Sequence, residues 1–220
     1  MASFHDSAFG NNDASGTTVG TTDTLTVTAG DLIVVCAKWE GATTTITAKD
    51  NTSGNALSVA NAVLGHANAD LFGAVLYGIA TSSGSFTPEY TLGAARTFRY
   101  IKVACFTPGA SKTFQLGAVN AATATSSSPS AGAAAGSVGD VAVASFALYG
   151  TRSVTAGSGW SIPVEFTSSS LWIEQQVLAG TSVTGNMTYS VSLEHVAQVA
   201  VFNEIASGGA SSNWFLMGHG

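Results

Sequence analysis

Short apolar runs alternate along the chain with links rich in Gly, Ser, Thr and Asn. No stretch repeats apolar residues at i, i+3, i+4 and i+7 over three turns with a cap, so no long helix is predicted. Alternation and turn residues instead predict strands. In the first part of the chain these cover residues 21–28, 31–40, 43–49, 56–64, 71–80, 85–92 and 97–107.

The second part of the chain repeats elements of the first in the same order. The matching pairs are residues 30–35 (GDLIVV) and 139–144 (GDVAVA), 39–41 (WEG) and 148–150 (LYG), 71–90 and 171–189, and 101–106 (IKVACF) and 197–202 (AQVAVF). Short strands at regular spacing are typical of sandwiches and jelly rolls. The sequence therefore predicts an all-β fold with two related antiparallel β-sandwich, jelly-roll-like halves in tandem.

A Gly-Asp pair precedes the long strand of each predicted half. Gly30 and Gly139 can adopt the positive φ of a tight turn, and Asp31 and Asp140 can accept hydrogen bonds from turn amides. We interpret both pairs as structural and assign them no catalytic role.

Composition divides the chain further. Residues 1–16 are predicted to be an extended N-terminal arm, and residues 17–120 the first sandwich. Residues 121–136 contain only small residues and one proline, which predicts a linker or crossover. Residues 137–206 would form the second sandwich and residues 207–220 a C-terminal docking tail on a Gly/Ser tether.

Charge and hydropathy exclude several classes of partner. Charged residues make up only 9% of the chain, the net charge is −6, and the seven Lys and Arg residues are scattered. Nucleic-acid binding needs clustered cations, so no nucleic-acid partner is expected. No apolar run approaches the roughly 18–20 residues that span a bilayer, and the N-terminus lacks the features of a signal peptide. We expect a protein made in the cytoplasm without a membrane partner.

No catalytic residue, metal ligand or cofactor is predicted. None of the four histidines has a ligating partner at zinc spacing; they are His5, His66, His195 and His219. The 157–160 segment (GSGW) lacks the spacing of a nucleophile elbow, and Glu194 and His195 would face opposite sides of a strand. Sequence places no two glutamates together. Catalysis is therefore not called for, although a carboxylate pair for glycan hydrolysis stays a third possibility.

Cys36 and Cys105 both lie in apolar runs. Two small buried thiols are the favoured interpretation for a protein made in the cytoplasm. A disulfide between two strands of the first half stays open, because it depends on a Cα separation that sequence cannot supply.

The aromatic residues suggest where partners bind. Four consecutive large apolar residues end the tether and should dock on a sheet or, as we favour, on a neighbouring subunit; they are Trp214, Phe215, Leu216 and Met217. Phe4, in the N-terminal arm, is a second docking candidate. Trp160, in a Gly/Ser-rich stretch, is predicted to be the most exposed tryptophan and a possible ligand-facing aromatic.

Three elements resemble the duplicated β-sandwich structural proteins of tailed bacteriophages, of the decoration or fibre type. They are the 30–35 strand with Trp39, the 50–55 turn after the 43–49 strand, and the 158–160 turn. The resemblance implies a non-catalytic virion protein that binds the capsid or tail surface as a cement, decoration or fibre component. Its partners would be other virion proteins and further copies of itself. The alternative is a carbohydrate- or cell-surface-binding adhesin, so a glycan partner is possible.

Overall fold

The computed structural model describes residues 1–50, 56–60, 62–66, 68–163 and 169–207. Every regular element in these ranges is a β-strand, and every strand pairing is antiparallel. The strands are β1 (Ser3–Asn12), β2 (Gly16–Gly20), β3 (Leu25–Val27), β4 (Leu32–Glu40), β5 (Ile46–Asp50), β6 (Ala56–Val59), β7 (Leu64–His66), β8 (Leu71–Ile79), β9 (Gly84–Phe86), β10 (Pro88–Thr107), β11 (Lys112–Ser126), β12 (Ser130–Ala135), β13 (Val141–Arg152), β14 (Thr155–Ala156), β15 (Ser169–Val177), β16 (Ser182–Thr188) and β17 (Leu193–Ala206). The predicted all-β class is confirmed.

Two sets of four strands share one order. The first set runs β1-β10-β4-β8 and the second runs β11-β17-β13-β15. The registers also correspond, because Leu32 lies opposite Ile79 and Phe106 while Val141 lies opposite Val177 and Phe202. Positions that occupy the same place in these two registers are called equivalent below.

The Gly-Asp turns at the start of β4 and β13 have the same geometry. Gly30 and Gly139 have φ angles of 98° and 96°. The Oδ2 atoms of Asp31 and Asp140 each accept a hydrogen bond of 2.7 Å from the amide three residues earlier. This confirms the predicted division of labour, with glycine supplying positive φ and aspartate holding the turn amide.

Apolar residues on both faces of the long strands build three successive cores. One face of the first set packs against the short strands β2, β3, β5 and β9. The other face packs directly on the second set, where Leu32, Val34 and Phe106 meet Val143, Ile173 and Phe202. The far face of the second set packs against β12 and β16. We call the middle cluster the inter-sheet core.

The first set is more closed than an open sandwich. Strand β10 is twenty residues long, and its register shifts between Thr91 and Arg96. Its second half pairs with β1 and β4, whereas its first half pairs with β5 and β2. Pairing therefore closes through β10, β4, β8, β6 and β5 into a five-strand barrel-like sheet. A bend of this kind lets one strand serve two layers.

Two predicted segments are strands in the structure. The predicted N-terminal arm contains β1, which pairs with β10 along Ser3–Asn12. The predicted linker 121–136 contains the end of β11, paired with β17, and most of β12, paired with β16. Both predictions were wrong. The small Thr, Ser and Ala side chains of residues 121–136 resemble a linker in composition, and the strands of both segments depend on backbone pairing with a distant strand that local sequence does not reveal.

Among the described residues, no helix is long and apolar enough to cross a membrane.

Candidate binding cleft at one end of the inter-sheet core

The inter-sheet core becomes polar near its centre. Cys36 on β4 and Ser145 on β13 occupy equivalent positions, and both are buried. Burial raises the pKa of the Cys36 thiol to about 12, an effect that the nearby Ser145 hydroxyl only partly offsets. The thiol is therefore protonated at neutral pH and behaves as a small core residue.

Lys102 extends this polar strip from β10. The Lys102 side chain is buried, and its Nζ lies 4.3 Å from the ring centroid of Trp172. Desolvation lowers the pKa of Lys102 to about 7. Gln198 occupies the equivalent position and donates from Nε2 to the Ala62 carbonyl oxygen at 3.0 Å. A cavity of about 180 Å³ lies beside Lys102, between β1, β10 and residues Thr151 and Ser169.

A buried ion pair marks the transition to solvent. Nζ of Lys38 lies 2.7 Å from Oε1 of Glu40, and the side chain of Lys38 is only 1% exposed. The same Nζ lies 5.0 Å from the Tyr100 ring centroid and 5.7 Å from that of Phe98. Burial lowers the pKa of Lys38, and the hydrogen bond and charge of Glu40 oppose the shift. Tyr100 in turn donates from its hydroxyl to Oδ1 of Asp13 at 3.1 Å.

Beyond this ion pair the two sheets open into a polar cleft of about 350 Å³. Its walls come from the end of β4, the start of β8, the bend of β10 and the end of β13. The residues that line it are Ser15, Glu40, Gly41, Ala69, Asp70, Ala95, Arg96, Thr97 and Tyr149. We call it the end cleft.

Arg96 braces one wall of the end cleft. Its guanidinium donates to the carbonyl oxygens of Ala42 and Ala95. A Cβ at Gly41 would come within 2.4 Å of Cδ of Arg96, and Gly41 has a φ of 104°. The backbone angle therefore favours glycine at this position, and a larger residue would also displace the Arg96 side chain.

Two residues near the end cleft hold uncommon backbone angles. Asp70 has a φ of 51° and Phe98 a φ of 46°. A bulky side chain in this region is an outlier that costs on the order of 1–3 kcal/mol and is concentrated at functional sites. Phe98 is also 43% exposed, and Tyr149 is 47% exposed. These are the two exposed aromatic side chains in the described part of the chain.

A second depression, of about 330 Å³, lies at the far side of the second set. Trp160 forms part of its wall, but this side chain is only 8% exposed and its Nε1 donates to the Thr184 carbonyl oxygen at 3.1 Å. Trp160 is the most exposed of the three tryptophans in the described ranges, but it is buried, so the expectation of an exposed aromatic side chain at this position was wrong. The Gly/Ser-rich turn folds the indole back over the core on the far face of the second set, because the large apolar ring is more stable when buried.

Glu174 lies beneath the same turn. Its side chain is fully buried, and its Oε1 accepts a hydrogen bond of 2.8 Å from the Gly157 amide. Burial raises the pKa of Glu174 to about 8, and this hydrogen bond opposes the shift. The equivalent position in the first set is the apolar Leu76.

The other sequence-predicted positions lie elsewhere. Phe4 is partly buried and packs edge-on against Phe106 with ring centroids 5.8 Å apart, so it contacts its own chain. Cys36 and Cys105 are free and buried, which confirms the favoured interpretation. Trp214, Phe215, Leu216 and Met217, and residues 51–55 of the predicted turn, lie outside the described residues.

Sequence reasoning missed the end cleft. The match between the WEG and LYG segments relates Glu40 to Tyr149, and it is the one sequence feature that bears on the end cleft. Sequence gave no sign that the two sets pack face to face, so nothing brought the two residues to one opening. The exposed Phe98 carries no local signal, since an isolated aromatic in a predicted strand usually belongs to a core. In the described ranges, no group of three or more His, Cys, Asp and Glu side chains is arranged to hold a metal ion.

No protein-family model matches this chain, and neither a curated protein nor a solved structure matches it.

Proposed function

We propose that the protein is a non-catalytic virion component of the tailed-bacteriophage kind, built from two related sandwich halves and assembling with copies of itself and with capsid or tail proteins. The observation that supports this proposal most strongly is the edge strand β11, which is fifteen residues long and has Lys112 as its only charged residue. Among the described strands β11 forms a ladder only with β17. A long, uncharged edge is a template for pairing with another chain.

The equivalent edge strand is protected, which sharpens the contrast. Strand β1 carries His5 and Asp6 and has a register irregularity between Phe4 and Asp6. Charges and bulges of this kind discourage edge-to-edge pairing. Strand β12 turns back beside β11 but forms its ladder with β16, and it contacts β11 through the hydrogen bond from Nδ2 of Asn120 to the Ala133 carbonyl oxygen.

The layered body supports the same proposal. Three successive apolar cores fix the strands of both sets in one packed unit, which suits a spacer that transmits load between neighbours. Low charge over the whole chain also suits tight packing against similar surfaces.

Lysines placed on β11 test the proposal. The double variant Val119→Lys/Thr123→Lys adds charge to the edge, and Val138→Lys/Val191→Lys adds the same charge at exposed turn positions. The unmodified chain should be oligomeric by light scattering and should sediment with particles of the phage that carries the gene. The β11 variant should lose both properties and the control should keep them.

Two results would contradict this proposal. One is a monomeric unmodified chain that is absent from particles, and the other is a β11 variant that assembles normally. Deletion of residues 208–220 distinguishes the contribution of the docking tail to assembly from that of the edge strand β11. Loss of assembly on this deletion would support the tail as a docking arm, whereas unchanged assembly would leave β11 as the interface.

A second candidate is a carbohydrate-binding adhesin. The observation that favours it is the pair of exposed aromatic rings, Phe98 and Tyr149, beside a polar opening.

A further inference from the structure

We propose that the end cleft binds one residue of an uncharged glycan, stacked on the Tyr149 ring and hydrogen-bonded by the Glu40 and Asp70 carboxylates. This inference deepens the adhesin candidate and is independent of assembly through β11.

The shape of the end cleft fits a small ligand. Its volume of about 350 Å³ lies in the usual range of roughly 300–1,000 Å³ for ligand sites. It opens at the end of the inter-sheet core, where strands from both sets supply the walls. Rigid strand ends position side chains more accurately than long loops do.

The aromatic rings supply the apolar contact. Tyr149 lines the end cleft and is 47% exposed. Phe98 follows the lining residue Thr97 and is linked to Glu40 through Lys38, whose Nζ contacts both the Phe98 ring and the Glu40 carboxylate. The positive φ of Phe98 lies at the register shift of β10 between Thr97 and Tyr100, and its ring packs against Lys38. Tyr149 is therefore the ring on which a ligand in the end cleft would stack.

The polar groups select the ligand class. Glu40, Asp70 and Arg96 line one opening, so hydroxyl groups could donate to carboxylates and accept from the guanidinium. Glu40 is paired with Lys38, and the opposite charges of Asp70 and Arg96 offset each other, so the end cleft carries little net charge. An uncharged hexose or N-acetylhexosamine residue combines hydroxyls with an apolar ring face and therefore matches this lining better than a charged ligand.

The packing of the two sets brings equivalent positions to a single opening. Glu40 and Tyr149 occupy equivalent positions, yet both line the end cleft. The first set contributes a carboxylate, Glu40, to one side of the opening, and the second set contributes an aromatic ring, Tyr149, to the other. The two sets therefore supply different chemical groups from equivalent positions.

A glycan array tests this inference on the full chain. The array should carry neutral hexose and N-acetylhexosamine oligosaccharides beside sialylated and sulfated ones, and each hit should be measured by calorimetry. We expect binding to neutral glycans only. Tyr149→Ala and Asp70→Asn should each weaken it by about tenfold or more, with thermal unfolding showing that both variants stay folded.

Matched controls define the outcome. Val138→Ala and Asp23→Asn change an exposed apolar residue and an exposed carboxylate outside the end cleft, and binding should be unchanged. Asn tolerates positive φ, so Asp70→Asn leaves the backbone of residue 70 intact. Absence of binding to any neutral glycan, or equal binding by the cleft variants, would overturn the site but would leave the β11 proposal standing. Cleavage of a bound glycan that Asp70→Asn abolishes would overturn the non-catalytic role.

Discussion

The two strand sets share their framework and differ where they face each other. Their strand order, their registers and their Gly-Asp turns correspond closely. Within the inter-sheet core, however, the equivalent pairs differ in chemistry. These pairs are Cys36 and Ser145, Lys38 and Ala147, Glu40 and Tyr149, and Lys102 and Gln198. Positions that set the backbone are therefore retained, as are apolar core pairs such as Phe106 and Phe202, whereas these polar positions between the sets have diverged.

The way the sets pack gives this divergence a consequence. Strand β13 lies against β4, its equivalent, and against β8, while β15 lies against β4 and β10, and β17 lies against β8. This reciprocal arrangement is the one expected of two related units around an approximate two-fold axis. Equivalent positions near the axis face each other, so each difference between the sets produces an asymmetric local environment. The end cleft is the exposed example.

Removal of large rings from the inter-sheet core should have the greatest effect. Phe106 and Phe202 are equivalent and fully buried there. Phe106→Ala and Phe202→Ala should each lower the free energy of unfolding by about 3–5 kcal/mol because a cavity remains. Denaturant unfolding followed by tryptophan fluorescence and circular dichroism should show one transition in each case. Two separated transitions would show that the sets are stabilised independently.

The buried turn aspartates should give unequal losses. Asp140 accepts hydrogen bonds from the Ser137 amide, the Glu204 amide and Nδ2 of Asn203. Asp31 accepts from the Thr28 amide and lies 3.1 Å from Nε2 of His5. In chemical denaturation, Asp140→Ala should lower the free energy of unfolding by about 3 kcal/mol and Asp31→Ala by about 1–2 kcal/mol. The loss is larger at Asp140 because more donors lose their acceptor there. The reverse order would contradict the bonding described for the two turns.

Glu174, where the first set has Leu76, should make stability depend on pH. Its folded pKa of about 8 lies above the ordinary glutamate value of 4.5, so the folded state binds the proton more tightly. Stability from this group is complete below pH 4.5 and is lost as pH rises towards 8. Between pH 5 and pH 8 the unmodified chain should lose up to about 3 kcal/mol more than Glu174→Gln.

Comparison with Glu174→Gln isolates this carboxyl. Lys102, with a pKa lowered to about 7, acts in the opposite direction above neutral pH, because the unfolded chain then keeps a proton that the folded chain has lost. That contribution is present in both proteins and cancels in the difference. Equal pH dependence of the two proteins would mean that Glu174 is charged when folded.

The positive φ of Phe98 should give the smallest effect. Phe98→Asn and Phe98→Leu both remove the ring from Lys38, but Asn tolerates positive φ and Leu does not. Phe98→Asn should therefore be about 0.5–1 kcal/mol more stable than Phe98→Leu in denaturant titrations. Equal stability would mean that the backbone of residue 98 is not left-handed in solution.

Sequence predicted the all-β class, the matched segments and the Gly-Asp turns, because these depend on local alternation and on φ at particular residues. It misplaced β1 and the 121–136 segment, because each is a strand only through pairing with distant partners, β10 for β1 and β17 and β16 for residues 121–135. It also predicted Trp160 to be exposed, since a Gly/Ser-rich turn gives no sign that it folds back on a core. The end cleft depends on how two sheets pack, and no local pattern encodes that packing.

Native-state hydrogen exchange tests the central claim, that both strand sets belong to one cooperatively folded unit. The amides to compare are those of β4 and β13, the equivalent strands on either side of the inter-sheet core. The slowest amides of both strands should exchange with the same free energy, equal to that of global unfolding. A free energy several kcal/mol lower throughout one strand would contradict the claim, because that set would then open while the other stayed folded.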